Sequence, residues 1–286
     1  MGTLEDFALQ YEVYVTPGIP IVTPDRPPGV NETFFQAMAS TLIYGDREAL
    51  LVDAFMTVNQ ANALADWVAS KGKHLTTIYI THGHGDHWFG AGTLVERFPN
   101  VRVVATRDTV GVMRQNSSRE ALQHVWEASF PGQIPKNLAI AQELEGDTIE
   151  LEGRELRVLE AGHTDTDRTT CLDVPSIGLV VAGDVAYNDV HLYLAESNAQ
   201  TRQEWISTLD RLEALHPQAV VASHKRPEND DTPAIIGETR QYIRDFDRLA
   251  ATTSTAEELY DGMLALYPNR VNPGWALWSS ARAVKG

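Results

Sequence analysis

Short apolar runs separated by polar turns dominate the first part of the chain. An opening strand is predicted near Tyr11 to Val15, and compact runs of aliphatic residues predict strands buried on one or both faces. These runs read MASTLIYG, EALLVDAF, LTTIYITH and VRVVAT. Between them, NQANALADWVASKG has the spacing of an amphipathic helix closed by Gly72, and HWFGAGTLVERF also predicts a helix. The alternation of strands and helices predicts an α/β fold.

The hydrophobic pattern is different in the middle of the chain and again in its C-terminal part. The segment RDTVGVMRQNSSREALQHVWEASF predicts helix with a break near residues 116–118, where Ser118 caps the second piece. Strands with polar turns follow, with turns at Glu152-Gly153 and Pro175-Ser176. After a helix TRQEWISTLDRLEAL and a strand AVVASH, the remainder is largely helical. We therefore expect one domain over residues 1–286, with residues from about 228 to 286 forming its helical C-terminal extension.

Residues 16–34 interrupt this regularity with a segment rich in proline and glycine. Proline excludes a regular helix or a central strand there, so the segment predicts a long surface loop. Loops of this length in compact domains often act as lids or binding loops. A lid and a structural wrap over the sheet are both consistent with the sequence.

Charge and cysteine content narrow the range of functions. The formal net charge of -16 repels polyanions, which disfavours nucleic-acid partners. The single cysteine, Cys171, excludes an intramolecular disulfide and has the setting of a buried strand residue. The N-terminus lacks a signal-peptide pattern, and no apolar run is long enough for a membrane span. We therefore expect a cytoplasmic protein without a membrane partner.

Four metal-ligating side chains crowd into the segment THGHGDHWFG, directly after the predicted strand LTTIYI. They are His82, His84, Asp86 and His87. Side chains two residues apart on an extended segment point the same way, and a turn through Gly83 and Gly85 brings the next two round. Imidazole and carboxylate are usual zinc ligands, whereas packing has no use for this combination. The cluster predicts a metal site at the end of a strand.

Three further polar residues occupy similar positions, each just past an apolar run. His163 follows LRVLEAG, Asp184 follows GLVVAG, and His224 follows AVVAS. Each alone is also typical of a turn or cap residue. Together, at successive strand ends, they are interpreted as further ligands.

The order H-x-H-x-D-H followed by His, Asp and His resembles the metallo-β-lactamase superfamily from about Tyr11 to His224. The resemblance implies an αββα sandwich with two divalent ions, of which zinc is the first expectation and iron or manganese the alternatives. It implies that one ion is held by His82, His84 and His163, the other by Asp86, His87 and His224, and that Asp184 bridges them. Asp53 matches the superfamily's supporting acidic residue, although a turn aspartate explains it equally well.

This sequence differs from particular branches of the superfamily at single motif positions. These differences make some activities of the superfamily less favoured. The commonest zinc β-lactamases carry cysteine in place of Asp184 and a residue other than histidine in place of His87, which makes a β-lactamase less favoured. Flavodiiron-type oxidoreductases have glutamate where His84 stands, so a diiron redox role is not favoured. Persulfide dioxygenases share the histidine pattern but use one iron, so the motif alone leaves a mononuclear iron dioxygenase open.

The residues around Asp184 suggest the substrate. Acyl-homoserine lactonases have a tyrosine at the spacing of Tyr187, whose phenol donates to the substrate carbonyl or the leaving oxygen. Tyr193 competes for this role. With Asp86, Asp184 and Tyr187 as candidate catalytic residues, we expect a dinuclear zinc hydrolase that opens a lactone or a lactam by attack of a metal-bridging hydroxide. Fungal hydrolases of small aromatic lactams belong to the same broad superfamily.

Other interpretations remain open. In a glyoxalase II-like thioesterase, Lys225 and Arg226 would hold a substrate carboxylate, although adjacent basic residues are more often solvated. A metal-binding protein without catalysis is less favoured, because all seven ligands are present. The partner is expected to be a small molecule, and a homodimer stays open. The aromatic residues Trp88, Phe89, Trp275 and Trp278 fit core or subunit contact, or else a wall of the substrate site.

Overall fold

The computed structural model describes residues 8–286, and every structural statement refers to these residues. Strands occupy Gln10–Thr16 (β1), Met38–Tyr44 (β2), Glu48–Val52 (β3), His74–Tyr79 (β4), Arg102–Ala105 (β5), Gln142–Glu143 (β6), Thr148–Leu151 (β7), Arg154–Gly162 (β8), Thr169–Val174 (β9), Leu179–Asn188 (β10) and Ala219–Lys225 (β11). Helices occupy Val58–Ser70 (α1), Gly85–Trp88 (α2), Ala91–Arg97 (α3), Arg107–Asn116 (α4), Arg119–Ala121 (α5), Glu127–Ser129 (α6), Ala199–Glu213 (α7), Ala234–Thr252 (α8), Ala256–Leu266 (α9) and Ala276–Lys285 (α10).

The strands form two sheets. One sheet follows the chain in the order β1-β2-β3-β4-β5-β6, with β2 and β3 antiparallel and the pairs from β3 to β6 parallel. The other has the order β11-β10-β9-β8-β7, and its pairs β7/β8 and β9/β10 are antiparallel. Helices cross between the parallel strands, which is how parallel neighbours must be connected. The predicted α/β class is confirmed.

The chain divides into two compact units. The first unit contains the residues up to 14 together with 39–159 and 171–181, and the second contains 15–38, 160–170 and 182–286. The prediction of one domain over 1–286 stays a prediction.

In the first unit, α1 shows how local sequence fixes an element. The Thr57 side chain accepts from the Gln60 backbone N–H while the Gln60 side chain accepts from that of Thr57, a reciprocal cap that satisfies two helix-end donors. The chain leaves the helix through Gly72 in the left-handed region, at φ 65°. The preceding strand β3 is almost completely buried, as a parallel strand covered on both faces requires. Cys171 is buried, as predicted.

In the second unit, the proline-rich segment has ordered ties to its surroundings. The backbone N–H of Ile21 donates to the Thr33 carbonyl at 3.0 Å, and that of Phe35 to the Ile19 carbonyl at 2.7 Å, so the two arms of the segment pair. The indole of Trp278 on α10 donates to Asp25 at 2.8 Å. These contacts favour the structural wrap over a freely moving lid.

One helix prediction needs correction, whereas the predicted break near residues 116–118 with a cap at Ser118 is confirmed. The segment HWFGAGTLVERF is not one helix, because α2 ends at Trp88 and α3 begins at Ala91. A side chain at Gly90 would lie 2.1 Å from the Ala54 carbonyl oxygen, so the break allows the backbone to approach closely there. Beyond the predicted cap at Ser118, the chain includes a π-helical stretch over residues 122–126, for which the hydrophobic spacing gives no warning. The predicted helical C-terminal extension is confirmed by α8, α9 and α10.

None of the helices within residues 8–286 has the length and apolar character that a membrane crossing requires.

Glu152 provides a test of the first unit's stability. Its carboxylate accepts from the backbone N–H groups of Asp46, Arg47 and Glu48 at 2.8, 2.6 and 2.7 Å. Burial acts to raise the pKa of Glu152, but these hydrogen bonds outweigh it and hold the pKa below its usual value. A carboxyl group with a lowered folded pKa stabilises the protein above its unfolded pKa and loses that contribution as the pH falls through the folded pKa.

Glu152→Gln should therefore lower the free energy of unfolding by about 1 kcal/mol at pH 7, the usual size of such hydrogen bonds near solvent. The difference from the wild type should shrink as the pH falls below about 4.3, the unfolded pKa of glutamate, and should vanish below the lowered folded pKa, where the wild-type carboxylate is protonated. Urea unfolding at both pH values measures this, with the exposed Glu145→Gln as a charge-matched control. A loss of unfolding free energy that is equal at the two pH values, or equally large in the control, would contradict this role of the Glu152 carboxylate.

Candidate metal centre

The first unit brings four of the predicted ligands together just beyond β4. His84 is the residue before α2, and Asp86 and His87 lie within that helix. Nε2 of His82 lies 3.2 Å from Nδ1 of His84, and Nε2 of His87 lies 3.4 Å from Oδ2 of Asp86. The rings of His82 and His87 are in contact, with centroids 3.9 Å apart. These donor atoms are close enough in pairs to share a metal ion.

Gly83 and Gly85 are required by this crowding. A side-chain carbon at Gly83 would lie 2.5 Å from the Val112 side chain, and one at Gly85 would lie 2.4 Å from the Phe89 ring. Both distances are too short for any Cβ atom, so the turn accepts only glycine without rearrangement. The predicted tight turn is thus enforced by packing around it.

Asp53 fixes the orientation of His87. Its Oδ2 lies 2.7 Å from Nδ1 of His87, and Oδ1 accepts from the Thr81 backbone N–H at 2.9 Å. The carboxylate is completely buried, at 0% exposure. A carboxylate that holds the far nitrogen of a ligand histidine sets its tautomer and strengthens it as a ligand. Of the two interpretations of Asp53, the supporting acid is the one that these contacts favour.

Asp184, Tyr187 and His224 form a second contact group, in the second unit. Oδ2 of Asp184 lies 3.1 Å from Nε2 of His224 and accepts from the Tyr187 hydroxyl at 3.0 Å. The rings of Tyr187 and His224 are stacked, with centroids 5.4 Å apart. The sequence predicted Asp184 and His224 just past their strands, but both lie within them, since β10 continues to Asn188 and β11 to Lys225.

The hydrogen bonds of this group require a positive charge between two of its atoms. Nδ1 of His224 lies 3.0 Å from the Ala37 carbonyl oxygen, which can only accept, so Nδ1 carries the hydrogen. In the neutral ring Nε2 then has a lone pair, and it faces a carboxylate oxygen of Asp184. Two buried acceptors at that distance require a proton or a cation between them. The same holds for Nε2 of His87, which faces Asp86 while Nδ1 is held by Asp53.

His163 has a separate contact group within the second unit. It follows β8 directly, as predicted, and its Nε2 lies 3.0 Å from the Glu196 carbonyl oxygen. The Thr166 hydroxyl donates to the Glu196 carboxylate at 2.6 Å, which steadies this partner. Since a carbonyl only accepts, Nε2 is the protonated nitrogen in this arrangement and Nδ1 has the lone pair. His163 is thus a third histidine with one ring nitrogen held by an acceptor.

This donor set fits a divalent transition metal. Imidazole nitrogens and carboxylate oxygens are the ligands that zinc prefers, and an acceptor behind the ring is the usual second partner of a ligand histidine. Asp53 could be suspected from its place after an apolar run, but nothing in the sequence marks the carbonyl acceptors of Ala37 and Glu196, because every residue has such a group.

The two candidate tyrosines differ in their surroundings. Tyr187 is completely buried and donates its hydroxyl hydrogen to Asp184. Tyr193 is half-buried and stacks on Trp275, with its hydroxyl 3.4 Å from the Glu196 carboxylate. Tyr187 is therefore the tyrosine in direct contact with a predicted ligand.

Lys225 and Arg226 each have an acidic partner in the second unit. Lys225 is buried and forms an ion pair with Asp231, and Arg226 forms one with Asp189 at 2.5 Å. Arg226 also donates to the Asn269 carbonyl. Their charges are thus balanced within the protein, and Lys225 is not the solvated side chain that adjacent basic residues would suggest.

His191 is a buried histidine outside the ligand set. Its Nδ1 lies 2.9 Å from the Tyr242 hydroxyl. Burial, and next the charge of Arg270, lower the pKa of His191 to about 3, so its ring is neutral at physiological pH. A nearby cavity of about 400 Å³ includes Asp189, Tyr267 and Arg270 in its lining, which contains none of the predicted ligands.

Comparison with known proteins identifies the family. The model of the metallo-β-lactamase superfamily matches residues 37–224, more than half of the chain. The chain therefore belongs to the metallo-β-lactamase superfamily, whose members are mostly metal-dependent hydrolases that bind divalent metals, typically zinc. The two sheets and their helices are those of this fold, which confirms the predicted fold class. The His and Asp groups described above could hold such a metal.

The individual curated relatives match about half of this chain, at 30% identity or less. An uncharacterized protein of Bacillus subtilis (strain 168), YobT, is 30% identical over 159 residues, which are 53% of this chain and 64% of the relative. A hydroxyacylglutathione hydrolase of Prochlorococcus marinus (strain MIT 9312) is 25% identical over 157 residues, or 54% and 52% of the two chains. The chain thus spans between about half and two thirds of the length of these relatives.

Solved structures show the same fold at low identity. A metallo-β-lactamase family protein of Thermus thermophilus has a TM-score of 0.64 at 21% identity, covering 95% of this chain and 91% of its own. A metallo-β-lactamase from Pontibacter korlensis has a TM-score of 0.59 at 16% identity, covering 82% and 100%. These likenesses concern the fold alone.

The role of Asp53 can be tested by removing its charge. Asp53→Asn keeps the size of the side chain, and asparagine tolerates the backbone φ of 61° at this position. The weaker acceptor should reduce zinc affinity by about 10- to 100-fold, as loss of a histidine's outer partner does. Competition with a chromophoric chelator measures the affinity, and the exposed Asp66→Asn is the matched control. Unchanged zinc affinity in Asp53→Asn would contradict the role.

Proposed function

We propose that this protein is a dinuclear metal hydrolase that opens a cyclic ester or amide, with zinc as the expected metal. The observation that carries the proposal is the close approach of imidazole Nε2 atoms to carboxylate oxygens in both units, while Nδ1 of each ring is held from behind by an acceptor. Imidazole nitrogen and carboxylate oxygen are both zinc ligands, so a metal ion would satisfy each pair. The proposed ligands are His82, His84, Asp86, His87, His163, Asp184 and His224.

The assignment of ligands to ions follows the family pattern. His82, His84 and His163 would hold one ion, and Asp86, His87 and His224 the other, with Asp184 shared. Short contacts within each unit support the pairs His82 with His84, Asp86 with His87, and Asp184 with His224. When bound, two divalent ions supply Lewis acidity and lower the pKa of a coordinated water, which is the chemistry that hydrolysis of a carbonyl compound needs.

The chain's own residues prepare the site for this chemistry. Asp53 and the Ala37 carbonyl hold Nδ1 of His87 and His224, so that Nε2 of each ring is the nitrogen offered to a metal. Burial of these groups keeps bulk water away, which strengthens every electrostatic contact in the site. No side-chain nucleophile is required.

Tyr187 is the proposed hydrogen-bond donor to the substrate carbonyl or to the leaving oxygen. Its hydroxyl hydrogen is now donated to Asp184 Oδ2, so polarising a substrate requires that this hydrogen be redirected. A phenol has one hydrogen to donate, and the two roles therefore compete. A variant without the hydroxyl separates them.

A thioesterase is the second candidate, and the hydroxyacylglutathione hydrolases of Prochlorococcus marinus are the observation that favours it. The suggested carboxylate contacts, Lys225 and Arg226, are already paired with Asp231 and Asp189. Binding a substrate carboxylate there would require one of these pairs to open. This makes the thioesterase the weaker proposal.

Metal content and turnover test the function together. Protein purified without chelator should contain about two transition-metal ions per chain, zinc first, and should hydrolyse simple lactones faster than thioesters. His84→Ala should lose one ion and nearly all activity, because it removes one of the three histidines proposed to hold that ion. Elemental analysis and a panel of lactones, lactams and thioesters provide the readouts. Full activity without metal would end the proposal, and thioester turnover alone would favour the second candidate.

Tyr187→Phe should lower kcat for a lactone by roughly 10- to 1000-fold, the cost of losing one donor to a developing oxyanion. KM should change less, and metal content should stay at the wild-type level. Parallel assays on a lactone and a thioester, with elemental analysis, measure the three quantities. Loss of metal would show instead that Tyr187 positions Asp184, and unchanged lactone turnover would exclude the proposed donor role.

A further inference from the structure

A chain of aromatic contacts in the second unit begins at a predicted ligand. The rings of His224 and Phe35 form a T-shaped contact, with centroids 6.3 Å apart. Phe35 in turn packs on Trp275 at 4.8 Å, and Trp275 stacks on Tyr193 at 5.0 Å with an angle of 1° between the rings. Residues that are far apart in the sequence are thus joined by one continuous run of aromatic contacts.

This run of aromatic contacts ends near another predicted ligand. The Tyr193 hydroxyl approaches the Glu196 carboxylate at 3.4 Å, and the Glu196 carbonyl holds Nε2 of His163. The pair Tyr193 and Trp275, called here the aromatic pair, is therefore linked to His224 on one side and to His163 on the other. The aromatic pair is thus connected to two predicted ligand histidines, through Phe35 to His224 and through Glu196 to His163, as part of a substrate site would be.

The exposure of the aromatic pair distinguishes it from core aromatics. Trp88, Trp205 and Tyr187 are completely buried, at 0% exposure, and Phe35 is nearly so. Tyr193 and Trp275 are both partly exposed, although their rings are held parallel. Flat rings fixed in this way present an apolar face at low entropic cost, and aromatic ligands pack on such faces in offset or edge-on geometry.

We propose that Tyr193 and Trp275 form a wall of the substrate site that selects a lactone or lactam whose ring is fused to, or directly bears, an aromatic ring. The proposal rests on the proposed hydrolase function and names the class of its substrate. The acidic net charge of -16 agrees with a neutral substrate rather than an anionic one. Trp278 has no part in the wall, because its indole is bound to Asp25 and its ring packs on Tyr260.

Two pairs of probes test the wall. Dihydrocoumarin and δ-valerolactone are six-membered lactones with and without a fused benzene ring, and 2-tetralone and cyclohexanone are their carbon analogues, which cannot be hydrolysed. Kinetics of the lactones and calorimetric binding of the ketones are measured on the zinc-loaded full chain. The variants are Trp275→Leu, Trp275→Phe and Tyr193→Leu. Trp67→Leu is the control, because Trp67 is also a partly exposed tryptophan packed against a tyrosine, Tyr14, with ring centroids 5.3 Å apart.

Trp275→Leu should raise KM for dihydrocoumarin by about 10-fold with kcat little changed, since it removes ring stacking and apolar contact but no reacting group. KM for δ-valerolactone should change less than about twofold, and Trp275→Phe should restore most of the loss. Binding of 2-tetralone should weaken by about the same factor as dihydrocoumarin. Tyr193→Leu should act in the same direction and replaces Trp275→Leu if that variant does not fold.

The outcomes separate the two proposals. If neither lactone is hydrolysed but 2-tetralone binding depends on the aromatic pair and not on Trp67, the wall stands and the proposed hydrolysis fails. If Trp275→Leu raises KM equally for both lactones, the residue is structural and the proposal of a wall is wrong. The inference is also overturned, whatever the catalytic result, if 2-tetralone does not bind the wild type. The same holds if neither wall substitution changes its affinity.

Discussion

Close approach of atoms that all accept protons is the constraint around which this protein is organised. Carboxylate oxygens and unprotonated imidazole nitrogens repel one another, and burial increases the cost because water cannot solvate them. Asp86 with His87, and Asp184 with His224, nevertheless lie within 3.4 Å. Such contacts persist only where a positive charge compensates, and divalent metal is the compensation that suits these atoms. The surrounding structure can be understood as a means of holding these side chains ready for that charge.

Unusual backbone conformations occur close to the predicted ligands in both units. Asp53 and Phe55 have φ values of 61°, and Asp189, just after the strand that contains Asp184, has a φ of 59°. Non-glycine residues in the left-handed region cost about 1 to 3 kcal/mol when the surroundings force them there. At Asp53 the result is visible, since the turn directs the carboxylate to both Thr81 and His87. The stability of the sheets offsets the strain of the turns that direct these side chains.

The sequence predicted the α/β class, the C-terminal helices and the crowded motif after β4, because hydrophobic period and ligand chemistry are local signals. It placed Asp184 and His224 past their strands. A polar residue after an apolar run is typical of a strand end, even where the strand continues. The carbonyl partners of His163 and His224 and the stacking of Tyr193 on Trp275 could not be predicted. A peptide carbonyl is common to all residues, and stacking between distant residues depends on tertiary packing alone.

The partners of His87 and His224 differ in one respect that matters over evolutionary time. His87 is held by a side chain, that of Asp53, whereas His224 is held by the main-chain carbonyl of Ala37. A single nucleotide change can remove the first partner, but no substitution at position 37 deletes the second as long as the backbone keeps its course. The basicity of His87 is therefore open to gradual adjustment by mutation, and that of His224 is shielded from it. Descendants of this chain can diversify one ligand while inheriting the other unchanged.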